Sequence, residues 1–495
     1  MSEVQIESGL KIDNSYAEQL TGFYVEGAGD KAPNPQLVKF NSSLAKQLGF
    51  DLDNLSDPEL AAMLSGGTTP VDACPLSQVY AGHQFGGFSP QLGDGRALLL
   101  AEVIDTQGQR LDIHLKGSGL TPFSRGGDGK AVLGPVLREY ILAEAMHALD
   151  IPTTRALAAV TTGEQIMRSG LLPGAVIARV ASSHIRVGTF QFFSARGEQE
   201  QVKKLADYTI ARHYPQLKGT SDCYLGLLRA VLEAQVTLIA KWMAVGFVHG
   251  VMNTDNMTIC GETIDYGPCA FIDNYHPEAL FSSIDQQGRY AFGNQPGIAQ
   301  WDLARFAECL LPLIDDDIDE AVKQASEVIN GFSDCYQQQW LASMRGKLGL
   351  TRSQESDLTL VNDLLDMMAQ QQVDFTQLFR ALARVVVGDN DAAVKLFSDT
   401  ESFMQWQVLW LARLTQQAES NDVIAAAMNA LNPIYIPRNH QVEKALQAAE
   451  NNGDFAPFEQ LMTVLAQPFT PRQGLEEYEL AAPAEFGRYR TFCGT

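Results

Sequence analysis

The chain changes character near residue 200, and no other single feature constrains its fold as strongly. From about 80 to 195 glycine is dense (Gly82, Gly86, Gly87, Gly93, Gly95, Gly117, Gly119, Gly126, Gly127, Gly129) between short β-prone runs. Residues 97–103 and 111–115 read as two strands joined by the Asp105-Thr106-Gln107-Gly108 turn. Leu133, Leu137, Ile141, Ala145 and Leu149 fall at helical spacing, so one helix is predicted over 132–149. Residues 176–180 and 189–193 are predicted as further strands. Beyond 200 the periodicity is helical: a long amphipathic stretch at 224–243 ends near Gly246, another helix begins at Trp301, and 315–480 is almost entirely helical with turns at Gly349, Gly388 and Asn432-Pro433. This is an α+β pattern without internal repeat or low-complexity tract. It divides into an N-terminal extension (1–75), a β-rich part (76–195), a helical part interrupted by a loop (196–320) and a helical C-terminal region (321–495).

The interrupting loop carries the chemistry. His249-Gly250-Val251-Met252-Asn253-Thr254-Asp255-Asn256 is followed by Asp265-Tyr266-Gly267. The outline is that of the kinase pattern H-R-D-L-x-x-x-N and its D-F-G turn. The position of the kinase base is Val251, which cannot accept a proton, while the asparagine is kept as Asn256. Either the site is inert or Asp255 has taken over. Asn256 and Asp265 are hard oxygen donors suited to Mg²⁺ or Mn²⁺ bridged to phosphates. An Asx-rich turn could arise for local reasons alone, but that explains neither His249 nor the second acidic turn.

Other residues point the same way with less force. Gly93-Asp94-Gly95-Arg96 is a glycine turn whose amides could approach a polyphosphate, although a tight hairpin needs no ligand. A second glycine run, Arg125-Gly126-Gly127-Asp128-Gly129-Lys130, has basic ends. Lys116 closes an apolar strand and has Glu139 on the next helix as its natural partner, as a nucleotide-holding lysine would; both could equally be exposed charges. Arg179 and Arg186 flank Ala181-Ser182-Ser183-His184 and could clamp phosphates or lie free on the surface. Asp302 in Trp301-Asp302-Leu303-Ala304-Arg305 reads as structural.

With 36 basic and 59 acidic residues the net charge is −23, which argues against a nucleic-acid ligand. No window approaches 18 consecutive apolar residues, and the N-terminus lacks signal or transit character, so a cytoplasmic protein without membrane association is expected. Seven cysteines show no metal-ligand spacing, and most read as small buried hydrophobes. Cys493, two residues from the C-terminus, is a candidate redox-accessible thiol or an ordinary tail residue.

Taken together, these runs resemble a family. Residues 80–86 (YAGHQFG), 93–96 (GDGR), 115–119 (LKGSG), 121–129 (TPFSRGGDG), 249–257 (HGVMNTDNM), 263–268 (TIDYGP), 288–290 (GRY) and 437–440 (PRNH) are similar to those of the selenoprotein O family (SelO/YdiU), from about 75 to the C-terminus. The resemblance implies a two-lobed protein-kinase-like fold, with 76–195 as N-lobe and 196–320 as C-lobe. It also implies a protein adenylyltransferase that holds ATP inverted, so that AMP passes to a protein Ser, Thr or Tyr hydroxyl and pyrophosphate leaves.

By that resemblance Gly93, Gly95 and Arg96 line the nucleotide, Lys116 holds its phosphates and Glu139 anchors Lys116. Asp128 and Gly129 touch the nucleotide, and Arg179 and Arg186 complete a basic pocket. Asp255 is the proton acceptor, while Asn256 and Asp265 bind Mg²⁺ or Mn²⁺, Asp265 facing the nucleotide as well. Family members also carry a selenocysteine or cysteine where Cys493 stands, in some paired with a cysteine after the metal aspartate; here that region offers only Cys269 and then Phe281-Ser282-Ser283. A monomer acting on protein substrates is expected. Ordinary phosphoryl transfer, uridylyl transfer from UTP and a non-catalytic nucleotide-binding scaffold remain alternatives.

Overall fold

The computed structural model describes residues 5–491. Its centre is an antiparallel sheet in the order 24–26, 76–78, 97–104, 110–116, 171–181, 155–167 and 36–40, with Ala131–Val132 also paired to Leu171–Ala181. The predicted hairpin forms as Ala97–Ile104 and Arg110–Lys116 around the turn at Gly108. Segments before residue 75 supply both edge strands, so the sheet spans the 75/76 boundary.

Strand alternation sorts the side chains by face. Ile113, Leu115, Val176, Ala178 and Val180 pack with Leu44, Leu48, Leu60 and Leu64 of two N-terminal helices. Asp112, His114, Lys116 and Arg179 are the out-of-phase residues, and register pairs His114 with Arg179 and Lys116 with Ile177. Helix Leu133–Ala148 packs on strands Arg155–Met167 and Leu171–Ala181. Its buried Leu137, Ile141 and Met146 join the core that continues through the helical part. An apolar layer on one face thus leaves the other face free to carry polar groups beneath that helix.

Two sequence expectations differ from the structure. The segment 189–193 is not a strand but part of helix Val187–Ser194. The Arg186 amide donates to the Thr189 hydroxyl at 3.1 Å, capping the helix start, and Phe190 meets Phe306 edge-on at 5.0 Å. A short apolar run cannot reveal whether its partner is a sheet or another helix. Strand Arg155–Met167 lies outside the predicted elements, because Thr161-Thr162-Gly163 interrupts its apolar run like a turn.

Helix Cys223–Val245 ends at Gly246, whose φ of +75° suits glycine at a helix end. By length and composition alone it could cross a bilayer, but its side chains from Leu225 to Val245 contribute heavily to the core. A second helix, Gln295–Ile314, packs beside it and begins six residues earlier than Trp301, with Pro296 in its first turn. Between the two lie a short antiparallel pair, Phe247–Val248 with Ala270–Phe271, and the loops at 249–269. This pair ties the two ends of the loop together.

Candidate active site

The loop residues are locked from below. His249 is buried, and its ring Nε2 lies 2.9 Å from the Ile264 carbonyl while its Nδ1 accepts from the Val251 amide at 3.3 Å. A short 3₁₀ turn, Thr254–Asn256, then presents Asp255 and Asn256 to a cleft between the sheet and the helical part. Asn256 donates its amide to the Val251 carbonyl at 3.0 Å, which leaves its side-chain oxygen available. Asp265 adopts φ +61°, an unusual value for a non-glycine residue.

Asp265 is the meeting point of the cleft. Lys116 Nζ and Arg179 Nη1 each donate to its Oδ1 at 2.8 Å, and Arg186 Nη1 donates to its Oδ2 at 2.8 Å. Glu139 takes the second bonds of two of these cations, from Lys116 at 2.8 Å and Arg179 at 2.9 Å. The expected Lys116–Glu139 pair therefore exists. Burial alone would raise the Asp265 carboxyl; Lys116, Arg179 and Arg186 overcome it and hold the group well below the usual carboxylate range. Three positive charges facing two carboxylates leave a surplus suited to an anion.

Asp255 is in a different electrostatic state. It is 7% exposed, and burial pushes its carboxyl up to about 6 against the pull of Arg186 and Gln84. Gln84 donates to its Oδ2 at 3.2 Å, while its buried Oδ1 has no protein partner. Arg186 Nη1 also reaches the Asp255 backbone carbonyl at 2.6 Å. A carboxylate with one free oxygen and a raised pKa is equipped to accept a proton near neutrality.

These side chains share one cleft of about 480 Å³, lined also by Gly93, Gly95, Arg96, Asp128 and Gly129. Arg96 makes no ion pair there among the described residues. Gly93 has φ +84°, and a Cβ on it would stand 2.5 Å from the Phe123 ring, so the loop closes over Phe123 only with glycine. Asp128 is held by Arg168 in a two-pronged pair at 2.8 and 2.9 Å. Asp302, read as structural, is fully buried with neither oxygen partnered by protein, and burial pushes its carboxyl well above the usual range.

Among the described residues no cluster of three or more His, Cys, Asp or Glu could hold a metal alone. Cys493 lies outside the described residues. The chain before it runs beside Phe281-Ser282-Ser283, with Thr491 donating to the Phe281 carbonyl at 2.8 Å and accepting from Ser283 at 2.9 Å. Cys269 is buried among other residues, 3.1 Å from the Tyr266 carbonyl.

The family model described as protein adenylyltransferase SelO matches residues 8–466. This chain belongs to the SelO family. Proteins called protein nucleotidyltransferase YdiU are similar to it over their whole length. That of Cereibacter sphaeroides strain ATCC 17029 is 56% identical over 488 residues, covering 98% of this chain and 100% of the relative. The Agrobacterium fabrum protein is 52% identical over 486 residues, covering 98% and 100%, and the Mycobacterium sp. strain KMS protein 53% over 489, covering 99% and 100%.

This SelO chain also uses residues that sequence reasoning did not single out. Gln84 sits in the quoted YAGHQFG run, but nothing local links it to Asp255, 171 positions away. Tyr80 stacks on the Arg186 guanidinium at 4.7 Å, and Arg168 comes from the tip of a strand pair outside every quoted run. Gly82 is a fourth such residue: a Cβ there would lie 2.6 Å from the free Asp255 oxygen. The only advance signal for Gln84, Tyr80 and Gly82 was their place in the run 80–86.

Proposed function

We propose that this SelO-family protein is a protein adenylyltransferase, moving AMP from ATP to Ser, Thr or Tyr hydroxyls with release of pyrophosphate. The observation that carries the reading is the pairing of Asp255, whose buried Oδ1 has no protein partner and whose carboxyl is pushed up to about 6, with the cation cluster at Asp265 in one cleft. The order of sheet, helix and loop, and the Lys116–Glu139 pair, support the kinase-like two-lobed interpretation. A cytoplasmic monomer belongs to the same reading.

In this reading Arg96, Lys116, Arg179 and Arg186 bind the polyphosphate, and the glycine loop at Gly93 and Gly95 covers it. Asp128 and Gly129 line the far end of the nucleotide. Asp255 orients the acceptor hydroxyl and takes its proton as the oxygen attacks the α-phosphorus. The bond to the pyrophosphate oxygen breaks, and the leaving charge falls among the same cations.

Mg²⁺ or Mn²⁺ fits the donor set. Asn256 has a free side-chain oxygen and Asp265 a carboxylate, and sites of this type complete their shell with phosphates and water. Bound there, the ion would neutralise phosphate charge. The deciding experiment is intact-mass spectrometry of the protein and candidate substrates after incubation with ATP and metal, with α- and γ-labelled ATP in parallel. A gain of AMP is expected. Label from the γ position alone would mean phosphoryl transfer, UTP preference would mean uridylylation, and binding without any covalent gain would mean a scaffold.

A further inference from the structure

Behind Arg179 the structure holds a buried chain of polar groups that the reaction does not use directly. Arg179 Nε donates to His114 Nδ1 at 3.3 Å, and Nη2 lies at 3.3 Å from the same atom. The His114 Nε2 is 3.2 Å from Asp94 Oδ2, which also accepts from the Gln78 amide at 2.9 Å. His114 and Asp94 are fully buried and Arg179 is 2% exposed. A guanidinium nitrogen can only donate, so Nδ1 must accept and the ring proton must sit on Nε2, directed at Asp94. The His184 ring stacks on His114 at 4.1 Å and 19°, and its amide donates to Asp112 at 3.0 Å. The imidazole therefore cannot rotate without displacing a packed ring.

We infer that the Asp94–His114 pair is a positioning device that sets the guanidinium plane of Arg179 for the nucleotide; this rests on reading the cleft as a nucleotide site. Register puts His114 directly across from Arg179, so the contact is written into the sheet. Both Nη1 hydrogens of Arg179 are taken by Glu139 and Asp265. With Nε on His114, an Nη2 hydrogen remains for a phosphate oxygen. Asp94 lies between Gly93 and Gly95, so one carboxylate ties the covering loop to the orientation of Arg179. Burial lowers the ordinary imidazole pKa of His114, which keeps Nδ1 free to accept.

The test is a double-mutant cycle on the full chain, with the fluorescent nucleotide mant-ATP as probe. His114→Phe keeps ring packing but removes both hydrogen bonds, and should weaken binding by about tenfold. His114→Gln keeps an acceptor and a donor, and should restore affinity to within roughly threefold. In an Arg179→Met background His114→Phe should change affinity by less than about twofold, since the partner it acts through is gone. Equal losses in both backgrounds, or unchanged affinity in folded His114→Phe, overturn the inference. Nitrogen-15 NMR of labelled histidines gives a readout on wild-type protein that needs no variant to fold: Nε2–H at His114 supports the relay and Nδ1–H refutes it. Wild-type protein that binds no mant-ATP would sink the nucleotide-site reading, while the tautomer still decides the relay.

Discussion

The side-chain amide of Gln84 donates to the Asp255 carboxylate at 3.2 Å, joining a two-stranded hairpin near the N-terminus to the loop that bears the proposed base. The same hairpin is anchored by the His83 amide on the Thr254 hydroxyl at 2.7 Å and the Phe85 amide on Asn253 at 3.1 Å. One Asp255 oxygen is thus fixed, and the other has no protein partner.

Removing the base should separate chemistry from binding. Asp255→Asn is predicted to lower AMP transfer by ~10²–10⁴-fold with mant-ATP affinity nearly kept. Gly82→Ala should also impair transfer, because its methyl would meet the free Asp255 oxygen. Parallel turnover and binding assays check both, and undiminished turnover by Asp255→Asn removes this residue from the mechanism.

Asp265 should matter for stability as well as for activity. Asp265→Ala leaves Lys116 and Arg179 with Glu139 as their one shared carboxylate partner and takes from Arg186 its ion pair, and is expected to cost about 3 kcal/mol. Adding Lys116→Met should recover part of that loss, since one uncompensated charge is then gone. Urea denaturation of the single and double variants measures it; an additive second loss would contradict the repulsion account.

Metal and nucleotide should bind cooperatively. Three cations occupy the oxygens of Asp265, so Mn²⁺ alone competes against them, whereas phosphates give those cations a new partner. Electron paramagnetic resonance titration of Mn²⁺ should show affinity rising at least about fivefold when nucleotide is present. Equal affinities would show that the cations do not guard Asp265. Chelation with EDTA should abolish transfer while leaving the fold melting as before.

A buried lysine far from the cleft gives a pH signature. Lys347 is 4% exposed, its ammonium 4.2 Å and 5.3 Å from the ring centres of Phe379 and Phe375, and burial pushes it down to about 7. Between pH 7 and its ordinary value the unfolded chain holds a proton that the folded chain has released, so stability rises with pH across that window. The penalty is full below pH 7. Lys347→Met is therefore expected to raise Tm most at pH 7 and below, with the gain shrinking towards pH 10. Melting curves at pH 6.5, 8 and 9.5 test this, and a constant gain would mean that the lysine stays charged when folded.

Much of the candidate site was legible in the sequence, because its residues fall in short runs whose chemistry is local. Asn256 and Asp265 are hard oxygen donors wherever they lie, and Val251 announces by its own side chain that the usual base is missing. Lys116 at the end of an apolar strand with a glutamate on the next helix was also legible, since strand and helix periodicities place both. The segment 189–193 was misleading for the converse reason: β-branched and aromatic residues suit a strand until a capping threonine and a facing helix decide otherwise.

By itself the sequence determined the residue types of the loop at 249–267, the alternation that puts Lys116, His114 and Arg179 out of phase with the apolar face, and the change from sheet to helices. Only the tertiary structure decided that Lys116, Arg179 and Arg186 converge on one carboxylate, that Gln84 holds Asp255, and that Asp94 reaches Arg179 through His114. Each of these contacts joins segments from 20 to 171 residues apart. Local propensity and periodicity act over a few residues, whereas such contacts form only once the buried faces of sheet and helices have packed and excluded the water that would otherwise satisfy those groups.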